Sequence, residues 1–210
     1  ISPDKAIKSN ELFCNESGST LRFLIPLCLL FGQKITLKGT KRLMSRSLAV
    51  YKDMCLSQGI EFSEDKESVT VFGKLRPGKY SVRGDVSSQF ISGLMFALPL
   101  LENDSIIDIT GAIESGSYLG MTVKALAGFG IRISRTDEHT VFIKGNQTYK
   151  PRTLCVEGDY SNAAFLEAFN SVGGNVAVTG LKKDTCQGDA VYRKLFGKLV
   201  RGCPEMDISD

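Results

Sequence analysis

Two stretches of this chain, Leu21–Leu30 and Phe90–Leu101, are apolar on almost every side of a helical wheel. Helices of that kind are buried on most sides. The text around them changes period, as in Lys34-Ile-Thr-Leu-Lys-Gly39 and Ser105-Ile-Ile-Asp-Ile-Thr-Gly111, where apolar residues alternate as in a half-buried strand. Read in this way, the pattern predicts helices at about Thr20–Leu30, Ser47–Gln58, Ser87–Leu101, Tyr118–Phe129, Ser161–Phe169 and Ala190–Val200. It predicts further strands at about Ile60–Phe62, Ser68–Gly73, Tyr80–Gly84, Ile131–Ser134, Thr140–Gly145, Thr153–Gly158 and Asn175–Gly180.

The order strand, helix, strand, helix, strand, strand then recurs about every 70 residues, the mark of one supersecondary unit used repeatedly. Small, hydroxyl-rich turns open the apolar helices at Glu16-Ser-Gly-Ser-Thr-Leu-Arg-Phe-Leu24, Gly84-Asp-Val-Ser-Ser-Gln-Phe-Ile-Ser-Gly-Leu94 and Gly158-Asp-Tyr-Ser-Asn-Ala-Ala-Phe-Leu166. Gly39, Gly111 and Gly180 end strand-like runs, and Gly59, Gly130 and Gly202 follow helical ones. The first unit is read as starting at the Ser17–Thr20 turn. Such units cannot bury their own apolar faces, so the helices should pack inward and the sheets outward. Pro151, after the polar Gly145–Lys150 stretch, predicts a hinge between residues 1–150 and 151–210.

Composition narrows the class. The 210 residues, 42% hydrophobic and 23% charged, suit an ordinary soluble globular protein. A net charge of +3 does not favour a nucleic-acid partner, but it suits anionic metabolites if the cations cluster. The longest apolar run, Phe23–Phe31, is too short to span a bilayer and contains Pro26. Ile1-Ser-Pro-Asp-Lys5 has neither Met nor a signal-peptide pattern and reads as a cut end. Six cysteines without zinc-site or redox spacing, and a single histidine, His139, predict free thiols and no metal site.

Candidate chemistry concentrates at the helix starts. Ser87-Ser88-Gln89 places two hydroxyls and an amide where free backbone N–H groups and the helix dipole favour an anion. A plain helix cap accounts for the same serines, and both readings stand. Arg46, in the turn after the first unit's strand, is either a bidentate anion ligand or a solvated side chain. Glu114-Ser-Gly-Ser-Tyr118 occupies the equivalent turn of the second unit, which would bring Ser115 and Tyr118 to the same cleft. Arg22, inside an apolar helix, is expected to pair with a carboxylate. Asp85 and Asp159 are read as helix caps and His139 as solvated. No Ser/His/Asp set, P-loop or Rossmann glycine fingerprint is present.

These segments resemble a known family. Asn15-Glu-Ser-Gly-Ser-Thr-Leu-Arg-Phe-Leu24, the Ser87-Ser88-Gln89 segment and Val156-Glu-Gly-Asp-Tyr-Ser-Asn-Ala-Ala-Phe165 are similar to motifs of the enolpyruvyl transferases. Within them the chain resembles the 5-enolpyruvylshikimate-3-phosphate synthases, over essentially all its residues but only about the middle half of a full enzyme. The resemblance implies an inside-out, barrel-like α/β (α+β) fold of repeated βαβαββ units, here about two complete units and most of a third. Residues 1–150 would be part of the N-terminal substrate domain, and residues 151–210 the first, incomplete unit of the second.

The implied reaction moves the enolpyruvyl group of phosphoenolpyruvate to the 5-hydroxyl of shikimate 3-phosphate and releases phosphate, on the route to chorismate and aromatic amino acids. It needs no metal or organic cofactor. By the same resemblance Ser87, Ser88, Ser115 and Tyr118 would bind shikimate 3-phosphate, while Gly18, Arg46 and Gln89 would bind phosphoenolpyruvate. A cytoplasmic monomer without nucleic-acid or membrane partners is implied.

Three departures stand out. Glu16 replaces a usual Asn, Ser47 rather than Pro follows Arg46, and the usual Lys/Arg-Pro pair is missing between Ser115 and Tyr118. Asp207–Asp210 resembles the approach to the family's catalytic aspartate, so the acid and base groups are expected outside this chain and the fragment alone is expected to be inactive. Two other functions remain in view: a UDP-N-acetylglucosamine enolpyruvyl transferase, and a non-catalytic repeat module that binds anions.

Overall fold

The computed structural model describes residues 9–113 and 116–200. They divide into two compact bodies, one of residues 9–113 and 122–151, the other of residues 116–121 and 152–200.

The first body contains the same motif twice. Strand β1 (Glu11–Asn15) leads to helix α1 (Gly18–Cys28), strand β2 (Ile35–Gly39), the one-turn helix α2 (Lys41–Met44), helix α3 (Ala49–Ser57) and strands β3 (Glu61–Glu64) and β4 (Ser68–Phe72). The second copy runs through β5 (Lys79–Arg83), α4 (Ser88–Ala97) with a 3-10 turn at Leu98–Leu100, β6 (Ser105–Thr110), α5 (Gly116–Gly128), β7 (Ile133–Arg135) and β8 (Thr140–Ile143). The division between bodies falls within α5, whose residues 116–121 group with the second body.

Each copy builds a four-stranded sheet, in the orders β1-β2-β4-β3 and β5-β6-β8-β7. The first pair of each sheet is parallel and the other two are antiparallel. Register places Ile35 opposite Val71 and Leu37 opposite Val69, and all four are fully buried. Ile107 opposite Val141 repeats the arrangement, and the next buried pair sets Ser105 opposite Ile143. One face of each sheet is therefore a buried, mainly apolar row at period two.

Strand β1 precedes the start read from the sequence. Its Cys14 points into the core while Phe13 is 75% exposed, so the larger apolar residue lies on the wrong face to signal the strand.

Helices α1 and α4, formed by the two long apolar stretches, pack against each other. Phe23 meets Phe96 edge to face at 5.1 Å. Gly93 permits the closest approach, since a Cβ there would lie 2.6 Å from the Arg22 carbonyl oxygen. That carbonyl is free because Pro26, four residues on, has no N–H to give it. The buried Tyr51 hydroxyl of α3 takes up the vacancy, 2.8 Å from the Arg22 oxygen and 3.0 Å from the Phe90 oxygen.

The second body has α6 (Tyr160–Ser171), a 3-10 turn at Gly188–Val191 and α7 (Tyr192–Val200). Its small core is Tyr160, Ala163 and Tyr192, with Ala164, Val178, Leu181, Ala190 and Phe196 against it. The strands predicted at Thr153–Gly158 and Asn175–Gly180 do not form. Gly158 N–H donates to the Gly180 carbonyl at 3.2 Å, but Val156 is 92% exposed. In the first body each central strand, β2 or β6, is bonded on both sides. Among the described residues no antiparallel strand flanks Asn175–Gly180, and a lone parallel pair is marginal.

Candidate functional site

Two helix starts meet in the first body. Ser17 caps α1, its hydroxyl accepting from Thr20 N–H at 3.1 Å, and Ser87 caps α4, accepting from Gln89 N–H at 3.3 Å. The Gln89 carboxamide bridges the two helices. Its Oε1 accepts from Arg22 Nη1 at 2.7 Å, and its Nε2 donates to Ser19 Oγ at 2.8 Å.

The buried Gly18 lies where these groups converge. A Cβ on it would stand 2.9 Å from Arg46 Nη1, 3.3 Å from Arg22 Nη1 and 3.7 Å from Gln89 Oε1. Helix α2 delivers Arg46: Thr40 caps it by accepting from Leu43 N–H at 3.3 Å, and Arg46 N–H closes on the Leu43 carbonyl at 3.1 Å. Thr40 also donates to Glu16 Oε1 at 3.4 Å, which ties the unusual carboxylate to the cap, on an exposed side chain. Gly18, Arg46 and Gln89, expected to share one ligand, are thus neighbours.

The charge around Gly18 is one-sided. Among the described residues neither Arg22 nor Arg46 forms an ion pair. This corrects the expectation that Arg22 has a carboxylate partner: it holds an amide instead, and its guanidinium lies over the Phe90 ring at 4.9 Å. Burial lowers the Arg22 pKa, and the Arg46 charge lowers it further. The carboxylate nearest in sequence to the α4 start, Asp85, is held by Arg83 through two contacts of 2.6 and 3.0 Å. Two uncompensated guanidinium groups beside two helix N-termini make an anion-attracting surface.

Ser88 is only 9% exposed, and its hydroxyl makes no hydrogen bond among the described residues. Ser115 lies outside the described residues. Tyr118 belongs to the second body, where its hydroxyl donates to Asp189 Oδ2 at 3.0 Å. The same oxygen accepts from Ser161 Oγ at 2.5 Å. Partial burial raises the Tyr118 pKa, and the Asp189 contact adds to it.

Sequence reasoning passed over Ser19 and misassigned Arg22. The available signal was spacing: Arg22 lies one helical turn after Gly18 and one before Pro26. A cavity of about 410 Å³, lined by Leu30, Phe31, Leu75 and Leu100 among others, contains none of the expected binding residues. Cys28 and Cys55 are buried free thiols whose pKa values burial pushes up to about 12.

A family model described as EPSP synthase (3-phosphoshikimate 1-carboxyvinyltransferase) matches residues 2–202. A 3-phosphoshikimate 1-carboxyvinyltransferase of Clostridium kluyveri is 45% identical over 187 residues, 88% of this chain and 44% of that protein. One of Clostridioides difficile is 42% identical over 188 residues, covering 89% and 43%. The solved EPSP synthase of Acinetobacter baumannii shares the fold, with a TM-score of 0.62 at 20% identity over 80% of this chain and 37% of that one. The chain therefore spans about half the length of the curated relatives it matches.

Proposed function

The chain belongs to the EPSP synthase (3-phosphoshikimate 1-carboxyvinyltransferase) family, and from that premise we propose that it provides substrate-binding surface for enolpyruvyl transfer. The group passes from phosphoenolpyruvate to the 5-hydroxyl of shikimate 3-phosphate, and phosphate leaves. The observation that carries this is the meeting of Arg46 and Gln89 over Gly18, beside a second guanidinium and, among the described residues, with no carboxylate paired to either guanidinium.

In the proposed roles, Gly18, Arg46 and Gln89 hold phosphoenolpyruvate. Gly18 leaves room for the ligand, Arg46 offers a planar fork to an oxyanion, and Gln89 offers an amide. Ser87 and Ser88 hold shikimate 3-phosphate with hydroxyls and helix-start N–H groups; for Ser115 and Tyr118 the same role rests on the motif resemblance alone. Protonation of the methylene carbon and attack by the 5-hydroxyl, which gives up its proton, form a tetrahedral intermediate; loss of phosphate together with a proton from the new methyl group then restores the methylene. Cations aimed at the departing phosphate favour that loss. No proton-transfer residue is assigned within this chain. On this proposal the protein acts in the cytoplasm as a monomer. No helix among the described residues is long and apolar enough to cross a membrane.

The UDP-N-acetylglucosamine alternative draws no support. The similar curated proteins are 3-phosphoshikimate enzymes, and Cys55 is fully buried in α3. Calorimetric titration of the chain with shikimate 3-phosphate tests the proposal. Saturable 1:1 binding, lost in the Ser87→Ala/Ser88→Ala variant, is expected. Ser88→Ala alone, which removes no cap, should weaken binding without lowering the melting temperature. No binding at millimolar ligand would contradict the proposal.

A further inference from the structure

Arg22 and Arg46 flank the same glycine but are differently committed. Among the described residues Arg46 makes no side-chain hydrogen bond or ion pair. Arg22 is pinned at three points: its carbonyl near the Tyr51 hydroxyl, its guanidinium face on Phe90 and its Nη1 on Gln89. An uncommitted cation is free to meet a ligand. A committed one acts through what it holds.

We infer that Arg22, with Ser19, is a positioning residue that fixes the Gln89 carboxamide so that its NH2 group is the donor presented to an anionic substrate. A carboxamide is nearly symmetric in shape, and turned over it would offer an anion its oxygen, which repels. A guanidinium can only donate, so the atom 2.7 Å from Arg22 Nη1 must be the amide oxygen. Ser19 then accepts one of the two Nε2 hydrogens at 2.8 Å and leaves the other unused. The Pro26 gap in α1, filled by Tyr51, holds the Arg22 backbone at this height. Gln89 is thereby a pre-oriented donor one residue beyond the unpartnered Ser88 hydroxyl.

This rests on the assignment of Gln89 to phosphoenolpyruvate, so the test has one readout that needs no ligand. In the 15N-labelled chain, the Gln89 side-chain NH2 signals are identified by their loss in Gln89→Leu. They should be split and slow to exchange, and should collapse toward free-amide positions in Arg22→Met. Ser19→Ala, a smaller change that leaves the Phe23–Phe96 contact in place, should release the same signals if Arg22→Met fails to fold. In phosphoenolpyruvate titrations, Arg22→Met should weaken binding about ten- to a hundredfold, as loss of a charged hydrogen bond does. In the Gln89→Leu background the same substitution should cost little more, because its effect passes through Gln89.

Unchanged Gln89 signals in both variants, or losses that simply multiply in the double variant, would overturn the inference. If the signals respond but the parent chain shows no saturable phosphoenolpyruvate binding, the substrate assignment falls and the positioning role stands.

Discussion

The starts of α4 and α6 carry nearly the same text, Gly84-Asp-Val-Ser-Ser and Gly158-Asp-Tyr-Ser-Asn, and reach opposite electrostatic ends. At α4 the serine caps the helix, and the aspartate is turned back onto Arg83. The neighbouring cations, Arg22 and Arg46, have no carboxylate partner among the described residues. At α6 the aspartate itself caps, its Oδ1 accepting from Ser161 and Asn162 N–H groups, and Asp189 takes the Ser161 hydroxyl. One start is open to an anion, and the other is already filled by two carboxylates. The difference lies in where the charges fall around the serines, which the motif does not encode.

The comparison can be broken from the cationic side. Arg46→Glu would make the α1/α4 start resemble the α6 start, with a carboxylate beside the helix N-termini. Phosphoenolpyruvate affinity should fall at least about a hundredfold, because a repulsive carboxylate replaces a charged contact. Titration calorimetry reads this directly. Gly18→Ala should have the next effect. Its methyl group would displace Arg46 Nη1, now 2.9 Å from that position, at little cost in folding because the side-chain end is mobile. Affinity should drop about tenfold, the usual scale for one displaced charged contact, with the melting temperature nearly unchanged.

The other side of the comparison predicts stability effects. Asp159→Ala removes the α6 cap and should cost about 1 kcal/mol in denaturant unfolding, leaving phosphoenolpyruvate binding intact. The smallest effect at neutral pH concerns the thiols. Cys28 and Cys55 are buried in the first body, whereas Cys155 is exposed in the second. Ordinary thiols ionise near 9.0, and these two hold their protons to about 12. Their contribution is complete below pH 9 and is lost as pH rises from 9 toward 12. Circular dichroism should show the first body weakening over that window, and Cys28→Ala/Cys55→Ala should flatten the slope.

Much of this architecture was legible in the chain. The two all-round apolar stretches became α1 and α4, and alternation marked β2, β4, β6 and β8. What escaped depended on partners remote in sequence. Strand β1 turns Phe13 outward, so its pattern is inverted. The expected strands around Val156 and Val178 have the right composition but lack a flanking strand among the described residues. At the site, Gly18, Arg46 and Gln89 were named from motif resemblance, and the structure makes them neighbours. An arginine in an apolar helix suggests a carboxylate partner, and only the fold shows that an amide from 67 residues away fills that place at Arg22.

The central claim is that the α1/α4 start is the anion site and the α6 start is not. Backbone amide spectra of the 15N-labelled chain, recorded during titration with phosphoenolpyruvate and shikimate 3-phosphate, test it most directly. The prediction is saturable shifts at Gly18, Ser19, Arg46, Ser87, Ser88 and Gln89, with Ser161 and Asn162 unmoved. Equal shifts at Ser161 and Asn162, or no saturable shift at Gly18 and Gln89, would contradict it.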